Sequence, residues 1–509
     1  MTISKDLFDL IHSLSRTEKA YFQKNSAAFI RGGGNKYMLL FDAIEKQKIY
    51  NENDLLKKFQ REPFVRQFSV AKNYLYNRIL DTMQSYHGSV LSEVHGLMNK
   101  SEYLFEKGLY RQADKLLRAA EKTARKHELH STLITINENQ RFDQAIKTRE
   151  PKAAEKNIEE AQSENGLLSN HMEYLKLLAQ TQQAYNSYGK TNNKKYLSVL
   201  KKIIRNPLLK DESRALTFNS KRRFYDIHAV YSSITGNEEQ AYQFSNKIIS
   251  LFDKEPSKKK YTPILYAGYI NNTLLFSHSL RKYKEMEACL GKLAEIKPLL
   301  TTKYEQARLF EIYTNNFLSL YCSTGRFREA EKLTRSLLAE LREHEKRLAD
   351  RDKFLLFGNI AYLFFGLGDP RKCLVWLNRI RNELTPNIRP DLDSEIMLLN
   401  IIVHYELGHT ELVPHLVTSY YRFLRKKKLT SKPEKYLLSF FRKLSNADSE
   451  KTITGKMQDL RDQIASYMNE ESKNENNTPF FFDIVSWLES KIEKRSFAEI
   501  IRKKSEKFL

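Results

Sequence analysis

A short turn signature that recurs along the chain most constrains its fold. In the stretch "YCSTGRFREAEKL", Gly325 separates an apolar run from a charged segment, and the small residue Ala330 follows five positions later. Glycine adopts left-handed backbone conformations at little steric cost, so Gly325 is expected to end one helix just before the next begins. A small residue at position 330 lets the second helix cross close to the first. The stretch therefore predicts a helical hairpin.

The same signature appears at seven other places, separated from one another by 40 to 47 residues. The clear copies pair a glycine with a residue five positions later: Gly108 with Ala113, Gly236 with Ala241, Gly368 with Cys373, and Gly408 with Val413. The weaker copies are Arg149 with Ala154, Gly189 with Lys194, and Arg281 with Met286. One hairpin cannot bury its apolar stripe alone, whereas stacked hairpins can. The period therefore predicts an α-solenoid of about eight hairpins.

Composition agrees with an all-α chain. At 509 residues, the chain exceeds the roughly 250 to 300 residues at which a single hydrophobic core stops growing. It contains only 17 glycines and 12 prolines, so helix breakers are scarce. Between turns, apolar residues recur at intervals of three and four, as helical periodicity requires. Before Gly325 this stripe comprises Leu309, Ile312, Tyr313, Phe317, Leu320 and Tyr321.

Two of the turns carry a pattern that resembles the tetratricopeptide repeat (TPR) family. The matching residues are Tyr321, Gly325, Phe327, Glu329 and Ala330 in one turn, and Leu104, Gly108, Tyr110 and Ala113 in the other. The family unit is about 34 residues long, so the longer period here implies helices about one turn longer. The resemblance covers roughly residues 97–420. It implies a protein-binding scaffold whose concave groove holds a partner.

The repeat pattern predicts three regions. Residues 1–95 do not follow it and form a predicted N-terminal helical domain, in which Ser15 and Glu18 have the spacing of a capping box. Residues 96–424 form the predicted TPR-like helical repeat array. Residues 425–509 form a predicted C-terminal helical cap. The residues predicted to pack on the array are Phe481, Ile484, Val485, Trp487 and Leu488.

A column of carboxamides is the candidate binding site. Six of the eight residues that lie nine positions before the turns are amides: Asn99, Gln140, Gln180, Asn272, Asn316 and Asn359. The resemblance implies that such amides line the groove and hold the backbone of an extended peptide, because a carboxamide supplies both a donor and an acceptor. The alternative is that these amides bridge neighbouring helices inside the array. The sequence leaves both interpretations open.

Positive charge is the second functional signal, with a net charge of +23. The densest basic patch comprises Lys194, Lys195, Lys201, Lys202, Arg205, Lys221, Arg222 and Arg223, and a second comprises Arg425, Lys426, Lys427 and Lys428. The electric field of such basic patches attracts acidic proteins, nucleic acids or anionic membrane surfaces. The alternative is a set of solvated charges on helix surfaces.

A nucleic-acid regulator is the competing functional class. The segments "NENDLLKKF" and "FSVAKNYLYNRILDTMQSY" suggest a helix-turn-helix with polar residues along its second helix. The intervening "QREPFVRQ" is long for the three- to four-residue turn of that motif. A helical domain ahead of long helical repeats is also similar to bacterial peptide-sensing regulators. Nucleic acid is therefore a weaker expectation than a protein partner.

The sequence predicts no catalytic, cofactor or metal site, and hence no enzyme. The three cysteines, Cys289, Cys322 and Cys373, form no close pair, and "RGGGNKY" lacks the Gly-Lys-Ser/Thr of a phosphate loop. The most apolar run, "FLLFGNIAYLFFGLG", is shorter than the ~20 residues that span a bilayer, so neither membrane insertion nor export is expected. The predicted function is a cytoplasmic scaffold or adaptor that binds an extended peptide or an acidic protein.

Overall fold

The chain is all-α in a computed structural model, as the sequence predicts. The structure describes residues 5–27, 35–147, 149–188, 194–385, 390–427, 429, 432–444, 450–471 and 482–509. These residues contain helices, turns and loops and no β-strand. Contacts divide the chain into two compact units, Met1–Leu168 and Ser169–Leu509. The division at residues 95 and 424 stays a prediction.

The helices are short to medium in length, apart from α10. The first ten are α1 Asp6–Ser13, α2 Arg16–Ala27, α3 Asn35–Glu45, α4 Glu52–Lys58, α5 Phe68–Tyr86, α6 Val90–Glu106, α7 Tyr110–Lys126, α8 His130–Thr135, α9 Phe142–Lys147 and α10 Pro151–Tyr188. The others are α11 Lys194–Ile204, α12 Phe218–Thr235, α13 Glu238–Lys254, α14 Pro256–Tyr261, α15 Pro263–Ser279, α16 Tyr283–Ile296, α17 Lys303–Ser323, α18 Phe327–His344, α19 Asp350–Gly366, α20 Pro370–Glu383, α21 Pro390–Glu406, α22 Val413–Lys427, α23 Lys432–Leu444, α24 Glu450–Glu471, α25 Ile484–Ile492 and α26 Phe497–Ser505.

The predicted turns have the left-handed backbone that the signature requires. Positive φ angles occur at Gly108, Arg149, Gly236, Arg281, Gly325, Gly368 and Gly408. After Gly325, the Arg326 N–H donates to the carbonyl of Tyr321 at 2.8 Å, which satisfies a carbonyl left free at the end of α17. Equivalent bonds follow the other six turns. The turn prediction is confirmed at these seven positions, and the eighth, Gly189, lies outside the described residues.

The residue five positions after each of these turns is buried, as close helix crossing requires. The set comprises Ala113, Ala154, Ala241, Met286, Ala330, Cys373 and Val413.

Two helix starts also have the capping contacts that the sequence predicts. Asp369 caps α20 by accepting a hydrogen bond from the Lys372 N–H at 3.0 Å, and the Ser15 and Glu18 capping box is formed. These contacts are local in sequence and so could be predicted from it.

The long helix α10 differs from the predicted hairpins. It runs for 38 residues from Pro151 to Tyr188, where the period places the second helix of one hairpin and the first helix of the next. The intervening "AQSENGLLSN" contains no proline, and its single Gly166 costs about 1 kcal/mol in a helix interior. This cost is too small to end a helix flanked by good helix formers. The chain therefore lacks a loop at this point.

In the second unit, successive hairpins pack on one another. The pairs are α12 with α13, α15 with α16, α17 with α18, α19 with α20, and α21 with α22, and the first helices α15, α17 and α19 also pack directly side by side. On α17, the buried residues Leu309, Ile312, Phe317 and Leu320 confirm the predicted apolar stripe. This packing brings α17 into direct contact with both α15 and α19.

Residues 482–509 pack along the turns of the second unit, opposite in direction to the hairpin order. The Trp487 Nε1–H donates to Glu406 at 2.7 Å, next to the turn at Gly408. The ring of Phe497 lies 5.3 Å from that of Phe365, next to the turn at Gly368. Phe481, which the sequence places in the same packed group, lies outside the described residues. The segment 482–509 therefore contacts the turns of several hairpins in succession.

The next two turns continue this order. The Arg502 side chain donates to the carbonyl of Gly325 at 3.4 Å, and the Arg281 guanidinium lies 4.9 Å from the ring centre of Phe508. A Cβ atom at Gly325 would lie 2.7 Å from the backbone oxygen of Ala498. Because Gly325 has no Cβ atom, it permits both the left-handed turn and the close approach of α26.

Within the part of the chain that the structure describes, no helix is both long enough and apolar enough to cross a membrane.

Candidate functional site

The six carboxamides of the predicted column lie in different surroundings. In the first unit, Asn99 is exposed on α6 and Gln140 is half-buried in the π-helical turn Ile136–Arg141. In the second unit, Gln180 and Asn272 are exposed. Asn316 and Asn359 are buried, at 5% and 8% exposure. The structure brings only these last two, with Asn272, onto adjacent packed helices.

Amide pairs connect the first helices of three hairpins. The Asn316 Nδ2–H donates to Asn271 Oδ1 at 2.7 Å, from α17 to α15. The Asn359 Nδ2–H donates to Asn315 Oδ1 at 3.0 Å, from α19 to α17. In both pairs, the column residue donates to the residue just before the column position of the preceding hairpin.

We call the five residues Asn271, Asn272, Asn315, Asn316 and Asn359 the amide seam. Its two bonds have the geometry that the bridging interpretation expects, because each connects neighbouring helices. Asn271 and Asn315 are functional candidates that lie outside the predicted column. The repeated Asn-Asn pairs in "YINNTLL" and "YTNNFLS" are the signal that could have identified them.

The amide seam retains unused hydrogen-bonding groups. The Asn316 Nδ2 group also donates to the carbonyl of Ile312 at 2.8 Å, so both of its hydrogens are used. The Oδ1 atoms of Asn316 and Asn359 accept no hydrogen bond from any described residue, and Asn272 forms none with them. Two acceptors and one complete exposed amide therefore remain for another molecule.

A charged cluster continues the amide seam along α17. The Asn315 Nδ2–H donates to Glu311 at 2.9 Å, and Arg308 contacts both Glu311 at 2.7 Å and Asp352 of α19 at 3.1 Å. Burial raises the pKa of Glu311 to about 7, with Asp352 adding to the rise and Arg308 opposing it. Glu311 can therefore exchange a proton near neutral pH while it remains bonded to the amide seam.

A second buried cluster lies between α12 and α15. Arg222 donates to the hydroxyl of Tyr269, and that hydroxyl donates to Asp226 at 3.0 Å. Burial raises the pKa of Asp226, although Tyr269 and the two neighbouring arginines oppose the rise. Burial also lowers the pKa of Arg223, and the positive charge of Arg222 adds to this effect. Arg222 is thus an internal residue rather than part of a surface charge.

The other residues of the predicted basic patches differ in how far their side chains are exposed to solvent. Lys201 and Lys202 are exposed on α11, Arg205 is exposed in the turn that follows it, and Arg425 and Lys426 are exposed on α22. The partly exposed ones are Lys221, Arg223 and Lys427. Lys428 and the side chains of Lys194 and Lys195 lie outside the described residues. Among the described residues of the two patches, five exposed cations therefore remain, three in or just after α11 and two on α22.

The suggested helix-turn-helix has a 3-10 turn, Pro63–Gln67, between α4 and α5. On α5, the Lys72 ammonium contacts Glu52 and the hydroxyl of Tyr50. It therefore already has partners within the first unit. Asn77 donates to Asn73 at 3.4 Å, and both residues are exposed.

The three cysteines are buried, and burial raises the pKa of each thiol. Among the described residues, no three His, Cys, Asp or Glu side chains are grouped so that they could hold a metal ion.

Comparison with known proteins adds no further assignment. No model of a known protein family matches the chain, and a search of curated proteins finds no match.

Proposed function

We propose that this chain is a non-enzymatic interaction scaffold, built as a TPR-like α-solenoid, that holds an extended peptide segment of a partner protein. The amide seam is the observation that carries the proposal. Its geometry repeats from α15 to α17 and from α17 to α19, and it leaves the Oδ1 atoms of Asn316 and Asn359 without a partner among the described residues. A repeated polar feature suits a ligand that is itself repetitive, and the peptide backbone is such a ligand.

Dimensions support this choice of ligand. Packed helices lie about 8–10 Å apart, and an extended chain rises about 3.3 Å per residue. About three peptide residues would therefore cross each hairpin. An extended peptide could present an N–H group to Asn316 and another to Asn359, while both donor and acceptor groups of Asn272 contact its remaining backbone. In this arrangement, the bridging bonds position the amides and their free atoms bind the peptide.

The charge of the chain favours an acidic partner. The net charge is +23, and Arg351, close enough to Glu311 to affect its pKa, is exposed near one end of the amide seam. Long-range attraction of this kind mainly raises the association rate and falls as salt increases. Backbone contacts at the amide seam would supply the sequence-tolerant part of the affinity.

Selection from a random peptide library would test the proposal. Peptides long enough to cross three hairpins are selected on the full chain, synthesised with a fluorophore, and titrated by fluorescence polarisation. Asn272→Ala is the informative variant, because Asn272 is exposed and forms no bond with described residues that its loss would break. We expect it to weaken the selected peptides about three- to tenfold, the value of one or two hydrogen bonds.

Asn382→Ala is the matched control, because Asn382 is also an exposed helical asparagine but lies on α20, away from the amide seam. It should leave peptide affinity unchanged. The proposal fails if no peptide is enriched, or if Asn272→Ala and Asn382→Ala bind equally well. Nucleic-acid binding by residues 1–95 stays a separate prediction, which a gel-shift titration with salt would test.

A further inference from the structure

A cleft of about 520 Å³ lies between α16, α17 and α18. This volume is within the range of roughly 300–1,000 Å³ that is typical of small-molecule sites. Its walls are largely apolar and include Leu293, Leu300, Leu309, Phe310 and Leu337. The amide seam connects α17 to α15 and α19, whereas the cleft lies where α17 faces α16 and α18. The two features are therefore separate.

Thr314 places an unpaired hydroxyl at the wall of this cleft. Its side chain is only 1% exposed, and its Oγ1 atom has no hydrogen-bond partner among the described residues. A helical threonine usually donates to the carbonyl four residues earlier, as Thr324 does at 2.8 Å and Thr334 at 3.0 Å. The Thr314 hydroxyl therefore lacks the intrahelical hydrogen bond that Thr324 and Thr334 form, and an unpaired buried hydroxyl is destabilising.

His344 supplies a second unpaired atom at the same cleft. It is 4% exposed, and its Nδ1 atom has no partner among the described residues. Its Nε2 atom lies 4.0 Å from Glu340, and in the tautomer with the hydrogen on Nε2 the Nδ1 atom is an acceptor. Burial lowers the pKa of His344, which keeps the ring neutral at pH 7. Two of the residues that line the cleft, Thr314 and His344, thus each carry one unpaired polar atom.

The charged residues at the cleft are already paired. Lys297 contacts Glu340 at 3.2 Å, and Lys303 contacts Glu343 at 2.8 Å. The two lysines balance the two glutamates, so the cleft offers no excess charge to a ligand. Both ion pairs are substantially exposed to solvent, and such pairs contribute only about 0–1 kcal/mol. An uncharged molecule in the cleft does not require either pair to separate.

We propose that this cleft binds a small uncharged molecule that carries one hydroxyl, amine or amide group on an apolar body. The apolar body would fill the space between the leucines and Phe310. The polar group would donate a hydrogen bond to Thr314 or His344. An anion would have to enter the cleft without an unpaired cation, and its desolvation would oppose binding. This site does not depend on peptide binding at the amide seam.

Two related dyes test the proposal on the full chain. N-phenyl-1-naphthylamine is neutral and apolar with a single N–H donor, and it fluoresces in apolar surroundings. The dye 8-anilino-1-naphthalenesulfonate has a similar ring system with an added negative charge. We expect the neutral dye to bind with saturation at one site per chain and the sulfonate to bind that site at least about tenfold more weakly, because the charge would lose its hydration. Absence of saturable binding of the neutral dye, or equal binding of both dyes at the site, would overturn the proposal.

Matched variants locate the site. Leu337→Trp fills the cleft and should abolish binding of the neutral dye. Leu333→Trp on the exposed side of the same helix should leave it intact, since Leu333 is 46% exposed. Binding that survives Leu337→Trp would place the dye elsewhere, such as the smaller cleft of about 270 Å³ beside Asn400, and would refute the assignment.

Thr314→Val keeps the shape of the side chain and removes the hydroxyl, so it decides the result even if Leu337→Trp fails to fold. It should weaken the neutral dye about three- to tenfold while raising the melting temperature of the unliganded chain, because an unpaired buried hydroxyl is replaced by a methyl group. Unchanged dye affinity would refute the proposed role of the hydroxyl, and a lowered melting temperature would show that the hydroxyl already has a partner.

Discussion

The hairpins at Gly108 and Gly325 carry the same turn signature but differ in what surrounds them. Both glycines are left-handed, with φ angles of 74° and 69°. A Cβ atom at Gly108 would meet nothing within 4 Å, whereas one at Gly325 would meet the backbone of α26. The column residue is exposed in the first hairpin, as Asn99, and buried in the second, as Asn316. One local pattern therefore serves positions with very different packing.

This difference separates the stability that comes from the turn conformation from the stability that comes from packing against other helices. In the first hairpin, the signature mainly sets the backbone conformation of a turn. In the second, the same residues also contact α15, α19 and α26. Substitutions at equivalent positions of the two hairpins should therefore have unequal effects on stability.

The aromatic residue two positions after the turn should show the largest difference. Phe327 is 1% exposed and packs against Gly366 and Phe497, whereas the equivalent Tyr110 is 37% exposed. We expect Phe327→Ala to lower the free energy of unfolding by about 3–5 kcal/mol and Tyr110→Ala by about 1 kcal/mol. Urea denaturation followed by circular dichroism measures both. Equal losses would show that the second hairpin is no better packed than the first.

The two turn glycines should differ next. Gly108→Ala adds only the strain of a left-handed alanine, about 1–2 kcal/mol. Gly325→Ala adds the same strain and a clash with the backbone of Ala498 and Arg502, for a total of about 2–4 kcal/mol. The same denaturation experiment compares them. If Gly325→Ala were the milder change, α26 would not lie against this turn.

Glu311 should give the second hairpin a pH dependence that the first lacks, since the equivalent residue is the buried Val94. The folded pKa of Glu311 is raised from 4.5 to about 7. Between these values, the unfolded chain releases the proton before the folded chain does, so the contribution of Glu311 to stability falls as pH rises. We expect a loss of about 2–3 kcal/mol between pH 4.5 and 7.5.

Glu311→Gln should remove this part of the pH dependence, measured as the difference between the two denaturation profiles. A Glu311→Gln profile with the same slope as the unsubstituted chain would show that another group titrates.

The column amides should give the smallest difference. Asn316→Ala removes two hydrogen bonds and leaves Asn271 without its donor, which should cost about 1–3 kcal/mol. Asn99→Ala on the exposed face of α6 should change stability by less than about 0.5 kcal/mol. Thermal melting of the two variants compares them. A cost at Asn99 similar to that at Asn316 would indicate that its side chain has a partner of its own.

The sequence predicts well what depends on near neighbours. The left-handed turns, the buried residue five positions later and the caps at Ser15 and Asp369 all follow from contacts within a few residues. The column at Asn316 and Asn359 could also be found, because the hairpin period aligns equivalent residues.

Other features depend on contacts that no local pattern encodes. The approach of Arg502 to Gly325 joins residues 177 positions apart, and nothing in "TGRF" indicates it. The unpaired hydroxyl of Thr314 depends on which helices surround it. The continuity of α10 follows from the absence of a strong breaker, which a search for recurring turns overlooks. These features depend on how helices pack against one another, whereas the repeat signature describes the turn within a single hairpin.

The course of residues 482–509 affects how this protein is made. The ribosome synthesises Phe327 and Phe365 more than a hundred residues before it reaches Phe497 and Phe508. During that interval, residues 482–509 are not yet present to cover Phe327 and Phe365. The newly made hairpins therefore expose apolar aromatic surface. Translation must therefore proceed well beyond the central hairpins before they can reach their final packing, and interruption before residue 482 would release an aggregation-prone chain.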